Sequence, residues 1–141
     1  MWRQLKNFFV SVSTYTDLGP DLQFRQQVNA ALRPRPALTL DEWFEFFWRT
    51  YGVSKPVVAF VYTHLEKYSG VKMSRVQPKD HLERDLQITL VCSFDWHLTL
   101  CDDFFSCFGV DISEEFEIYN LTTIEEFVQF LNAQLLAVQP A

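Results

Sequence analysis

Three of the four glycines in this chain are each followed by valine, in Gly52-Val53, Gly70-Val71 and Gly109-Val110. The residue just past a helix end commonly takes the left-handed conformation, which glycine tolerates and other side chains resist. An apolar residue directly after it packs back on the last turn. The repeated pair therefore predicts helices ending near Tyr51, Ser69 and Phe108.

The expected starts are spaced to match. Leu38-Thr39-Leu40-Asp41-Glu42-Trp43 reads as a capping box, with Thr39 as N-cap, Glu42 reaching back to it, and Leu38 and Trp43 as a hydrophobic staple. Asp80-His81-Leu82-Glu83 and Leu121-Thr122-Thr123-Ile124-Glu125 repeat that logic, and Ser54 before Lys55-Pro56 is a further start. Between these signals the apolar residues recur at the helical period: Leu5, Phe8, Phe9, Val12; Val57, Val61, Leu65, Tyr68; Phe94, Leu98, Cys101, Phe105, Phe108; and Ile124, Phe127, Val128, Leu131. The stretch from Phe44 to Trp48 is apolar except for Glu45, which predicts a largely buried helix.

Residues 22–32 form a weaker helical pattern, closed by Arg33-Pro34-Arg35-Pro36. Proline disfavours helix at the residue before it, so this segment reads as a linker. It divides an N-terminal helical extension, residues 1–36, from a main domain, residues 37–141. Gln87 to Ser93 is ambiguous, because its β-branched residues also suit a short strand. The fold class expected is all-α.

With 141 residues, 48% of them hydrophobic, 14 Phe and 4 Trp, the chain has the means to build a dense aromatic core without a metal or disulfide staple. Cys92, Cys101 and Cys107 are odd in number and show no C-x-x-C spacing, which implies a reducing compartment. The N-terminal apolar stretch Phe8 to Val12 is too short for a signal sequence or a membrane span, so a cytoplasmic protein without membrane attachment is expected.

Charge is distributed unevenly. Residues 1–36 carry five basic and two acidic side chains, residues 37–78 five and four, and residues 79–141 two and twelve, and no Lys or Arg follows Arg84. Such an acidic second half repels nucleic acid and favours a basic protein partner or docking against the chain's own N-terminal part, beside the plainer reading of a solvated acidic surface.

From about Val57 to Leu135 the order of features resembles an acyl carrier protein. A helix ends in Gly70-Val71; a polar loop, Val76-Gln77-Pro78-Lys79-Asp80-His81-Leu82, leads to Asp85-Leu86; an acidic helix closes with Phe105-Ser106-Cys107-Phe108-Gly109-Val110-Asp111-Ile112; and Ser113-Glu114-Glu115 precedes a last helix opening at Leu121-Thr122-Thr123-Ile124-Glu125-Glu126-Phe127-Val128. The resemblance implies a helical bundle. It also implies a serine at the start of the acidic helix that carries phosphopantetheine, for which Ser93 in Cys92-Ser93-Phe94-Asp95 is the counterpart.

The family's Asp-Ser-Leu and Asp-Leu-Gly motifs are altered here, with Cys92 where the aspartate stands and Gln87 where the glycine stands. Ser93 also lies about three residues farther from Leu86 than in carriers. The chain is most similar to uncharacterised bacterial carrier-like proteins that keep the fold and lack that motif, and Ser93 then serves as an N-cap. Carriers present the acidic helix to basic partner enzymes, which implies a partner patch of Asp95, Asp102 and Asp103.

Other spacings weigh less. His97 and Cys101 share a helical face, as a two-ligand metal site needs, yet no further ligands accompany them. His81 and Asp85 form an H-x-x-x-D pattern, expected inside a short capped helix. The pairs Asp102-Asp103, Glu114-Glu115 and Glu125-Glu126 are explained by the attraction of helix N-termini for acidic residues. Phosphate loops, nucleophile elbows and paired zinc cysteines are absent from the sequence.

The reading that results is a non-catalytic carrier-like interaction module, without cofactor, that binds a basic protein and is monomeric or weakly dimeric. The alternative is a genuine carrier bearing phosphopantetheine on Ser93.

Overall fold

A computed structural model of the chain describes residues 19–116 and 120–138. Six α-helices are present among them: α1 (Leu22–Leu32), α2 (Leu40–Trp43), α3 (Lys55–Ser69), α4 (Ile88–Val91), α5 (Trp96–Phe108) and α6 (Ile124–Val138). Among the described residues there is no strand, only an isolated antiparallel bridge between His81 and Thr123. The protein is an all-α bundle, and the expected helix at Leu5 to Val12 lies outside the described residues.

The punctuation of the sequence reappears in the coordinates. Gly52, Gly70 and Gly109 have φ of 74°, 72° and 71°, and the residues before them are the last of their helical segments. The valine after each is buried, so each ending is anchored in the core. At Thr39 the full capping box forms: its hydroxyl accepts the Glu42 amide at 3.2 Å and its own amide donates to Glu42 at 2.8 Å. A second reciprocal cap starts α6, where Thr123 accepts the Glu126 amide at 3.2 Å and Glu126 accepts the Thr122 amide at 2.7 Å.

Two expectations are corrected and one open alternative is resolved. Asp80-His81-Leu82-Glu83 does not open a helix; Asp80 is buried and bonded to Arg35, and residues 82–86 form turns. Gln87 to Ser93 is resolved as the four-residue helix α4 and its exit. The stretch Phe44–Trp48 winds as a π-helix, one residue wider per turn than an α-helix, before a 3₁₀ turn at Arg49–Tyr51. The wider winding keeps Trp48 in the core but turns Phe46 outward to 72% exposure, so the segment is not buried throughout.

Helices α3, α5 and α6 are joined by aromatic contacts. Phe60 on α3 meets Phe104 on α5 edge to face at 5.3 Å, and Trp96 on α5 lies 6.5 Å from Phe127 on α6. Trp43 and Trp48 meet at 5.4 Å, and the Trp43 indole donates to the Val76 carbonyl at 2.7 Å.

Helix α1 is held to the bundle by polar contacts. Arg25 donates to the carbonyls of Val91 and Tyr68 at 2.8 and 3.0 Å, and Asn29 bonds Gly70 and Lys72 at 2.9 and 2.8 Å. The Pro-Arg segment is no loose linker, because Arg35 bonds Asp80 and the Arg75 carbonyl, and Arg75 donates to the carbonyls of Arg33 and Arg35.

Candidate functional site: the outward face of helix α5

Helix α5 begins at Trp96, with Asp95 at the N-cap position and no side-chain cap bond. Ser93 is therefore not the N-cap. It sits one turn earlier, where its carbonyl accepts the Trp96 amide at 3.1 Å. The chain leaves α4 at Cys92 in an extended conformation and spends Phe94 and Asp95 on reversing direction, which delays the helix past the serine.

Of the three carboxylates expected to meet a partner, only Asp102 is exposed. Asp95 is 9% exposed and belongs to the buried set. Asp103 is half-buried and engaged by α3: it accepts the Tyr68 hydroxyl at 2.5 Å and lies 3.4 Å from the Lys67 ammonium. Burial, followed by this hydrogen bond, pushes the Tyr68 phenol far above its ordinary range. The helical period explains the sorting, since Asp102 and Asp103 are adjacent and cannot share a face.

What α5 does present outward is mixed in character. Leu98 is 55% exposed and Phe105 56%, with exposed Asp102 between them. Beside Phe105 lies an open groove of about 420 Å³, lined by Cys101, Asp102, Phe105, Ser106, Asp111 and Ser113. Exposed Asp111, Glu114 and Glu115 extend its negative charge. Asp111 accepts the Ser113 hydroxyl at 2.6 Å and the Ser113 amide at 3.0 Å, and these bonds hold its carboxyl below the usual range. Sequence reasoning passed over Asp111, although Asp-x-Ser is a recognisable turn in which the carboxylate bonds two residues on.

His97 is exposed on α5, while the Cys101 thiol is pushed up by burial, with Asp111 and Asp102 adding to the effect. A thiol held protonated is a poor ligand and a poor nucleophile. Among the described residues no group of three or more His, Cys, Asp or Glu side chains is placed to hold a metal ion. The H-x-x-x-D pair is also turned to structure: the His81 amide donates to the Asp85 carboxylate at 2.8 Å.

Ser93 itself is half-buried and lines a cleft of about 220 Å³ with Arg25, Lys67, Asp95 and Thr99 among its neighbours. Gln87 is the one non-glycine described residue with positive φ, at 53°. Its backbone takes the conformation that favours glycine.

No family model, no curated protein and no solved structure matches this chain. Its function is therefore argued from the site. Among the described residues no helix is long and apolar enough to cross a membrane.

Proposed function

We propose that this chain is a non-catalytic, carrier-like interaction module of the bacterial cytoplasm, without a cofactor, which binds a basic protein partner through the outward face of α5. The observation that carries this reading is the pairing of exposed apolar side chains, Leu98 and Phe105, with exposed carboxylates in a chain segment that has no cation after Arg84. An apolar centre with a charged rim is what protein contacts use: the aromatic group supplies burial, and the charge selects and steers the partner. The same negative field disfavours nucleic acid. The free protein is taken as a monomer or weak dimer.

Affinity capture on the immobilised protein, at low and at high salt, tests this. The expected result is a basic partner retained at low salt, released at high salt, and lost with Asp102→Lys or Phe105→Ser. Capture indifferent to salt and to both variants would sink the reading.

A second reading is favoured by the left-handed Gln87 and by the open cleft at Ser93. In that reading the chain is a carrier, and the Ser93 hydroxyl takes phosphopantetheine. Co-expression with a broad-specificity phosphopantetheinyl transferase, followed by intact mass measurement, decides it. A mass gain abolished by Ser93→Ala supports the carrier, and an unchanged mass removes it.

A further inference from the structure

A second concavity, which shares no residue with the α5 groove, lies against the π-helical turn. It has a volume of about 260 Å³ and is lined by Pro36, Leu38, Phe46, Phe47, Arg75 and Val76, with Ser74 and Gln77 completing it. That is just below the range for drug-sized ligand pockets, roughly 300 to 1,000 Å³, and so fits a smaller molecule. Phe46 stacks on Phe47 at 5.0 Å and is 72% exposed, an unfavourable position for a bare phenyl ring in water. The wide turn that puts it there is a rare geometry, encountered frequently at functional sites.

Arg75 is the one charged residue, of those described, that lines this groove, and one edge of its guanidinium is committed. Arg75 Nη1 donates to the carbonyls of Arg33 and Arg35, which uses both of its hydrogens. Among the described residues the Nε–H and the Nη2 hydrogens have no hydrogen-bond partner, and together they form the fork that matches the two oxygens of a carboxylate. Among the described residues no carboxylate lies within ion-pair distance of Arg75.

The acidic groups of the surrounding elements are already engaged. Asp80 is bound by Arg35, Asp41 by Lys55 and Glu45 by Arg49, while Glu42 closes the Thr39 cap. Asp80 is thus the counter-charge of Arg35, while Arg75 meets only the backbone carbonyls of Arg33 and Arg35.

We propose that this groove binds a small apolar monocarboxylic acid, with its hydrocarbon body against Leu38, Phe46 and Phe47 and its carboxylate on the free edge of Arg75. A single half-committed guanidinium suits one carboxylate better than a phosphate, whose two negative charges and extra oxygens call for more donors. The volume suits one ring or a short chain.

The test is a ¹H–¹⁵N NMR titration of the full chain with phenylacetate and with hexanoate, each beside its neutral amide, phenylacetamide and hexanamide. The Trp43 indole N–H, bonded to the Val76 carbonyl, provides a resolved reporter next to the groove. Saturable shifts are expected at Leu38, Phe46, Phe47, Gln77 and the Trp43 indole with the acids, at least ten-fold weaker with the amides and ten-fold weaker in Phe46→Ala. Asp102→Lys should leave the affinity unchanged, which separates this site from the α5 face. Equal binding of acid and amide, shifts centred elsewhere, or no saturable shift with either acid would overturn the proposal. The acid-to-amide comparison needs no change at Arg75, whose bonds to Arg33 and Arg35 also hold the turn.

Discussion

Arg35 donates a hydrogen bond from each terminal nitrogen to the buried carboxylate of Asp80, at 2.7 and 3.0 Å, and so ties the Pro-Arg turn to the loop that precedes α4. The hydrogen bond to Asp80 raises the Arg35 guanidinium above its ordinary value. Asp80 also accepts the Gln77 amide at 2.7 Å, and its own carbonyl accepts the Ile124 amide at 3.0 Å at the start of α6. The carboxylate thus ties the Pro-Arg turn to the loop at Gln77, and the backbone carbonyl of the same residue reaches the start of α6.

Removing Arg35 leaves that carboxylate buried at 5% exposure with its cation gone. Arg35→Leu should cost about 3 kcal/mol in urea unfolding, the loss expected when one partner of a buried pair is removed. Arg35→Leu with Asp80→Asn together should cost less than the sum of the two single changes. Strict additivity would show that the pair is not coupled.

Gln87 predicts a gain. An L side chain in the left-handed region costs about 1 to 2 kcal/mol, part of which glycine returns as extra disorder of the unfolded chain. Gln87→Gly should therefore raise stability by about 0.5 to 1 kcal/mol, and Gln87→Val should lower it. A destabilised glycine variant would mean that the Gln87 side chain holds the turn.

The Tyr68–Asp103 bond predicts different behaviour for two adjacent aspartates. Tyr68→Phe and Asp103→Asn should each lose about 1 to 2 kcal/mol, since a short bond to a charged acceptor is broken. Asp102→Lys, on the exposed face, should stay within about 0.5 kcal/mol of the parent. Equal losses at both positions would contradict the sorting of the two faces.

The thiols should react in order of exposure: Cys107 first, the half-buried Cys101 later, and Cys92 only as the chain unfolds. Burial pushes the Cys92 thiol up to about 12. Its folded value lies above its unfolded value, so the native state holds this proton longer and the stability it confers is complete below about pH 9. That stability falls as pH rises toward 12, by at most roughly 1.4 kcal/mol per pH unit. Alkaline urea titrations of the parent and of Cys92→Ala should diverge in slope over that window, and parallel curves would count against it.

Much of the fold was legible because its signals are local. A left-handed C′ glycine, a threonine cap closed by a glutamate, and a 3.6-residue apolar period each depend on neighbours within a few positions, so Gly52, Gly70, Gly109, Thr39, the bounds of α3 and the end of α5 could be read closely, whereas α5 starts past Ser93 and turns Leu98 and Phe105 of the expected apolar stripe to solvent. The misreadings have the opposite character. Asp80-His81-Leu82-Glu83 carries every local sign of a helix start, yet Asp80 meets Arg35, which is 45 residues away. The π-helical winding at Phe44–Trp48 goes with placing both Trp43 and Trp48, five positions apart, in one core, which an α-helical period does not bring to one face.

The candidate site divides in the same way. That α5 is acidic, lacks cations and ends at Phe108 was written in the order of its residues. Which of its carboxylates reach solvent was decided by the packing of α3, because Tyr68 and Lys67 claim Asp103. Composition and period are properties of the chain, whereas exposure depends on what another segment covers, and only the assembled bundle settles that.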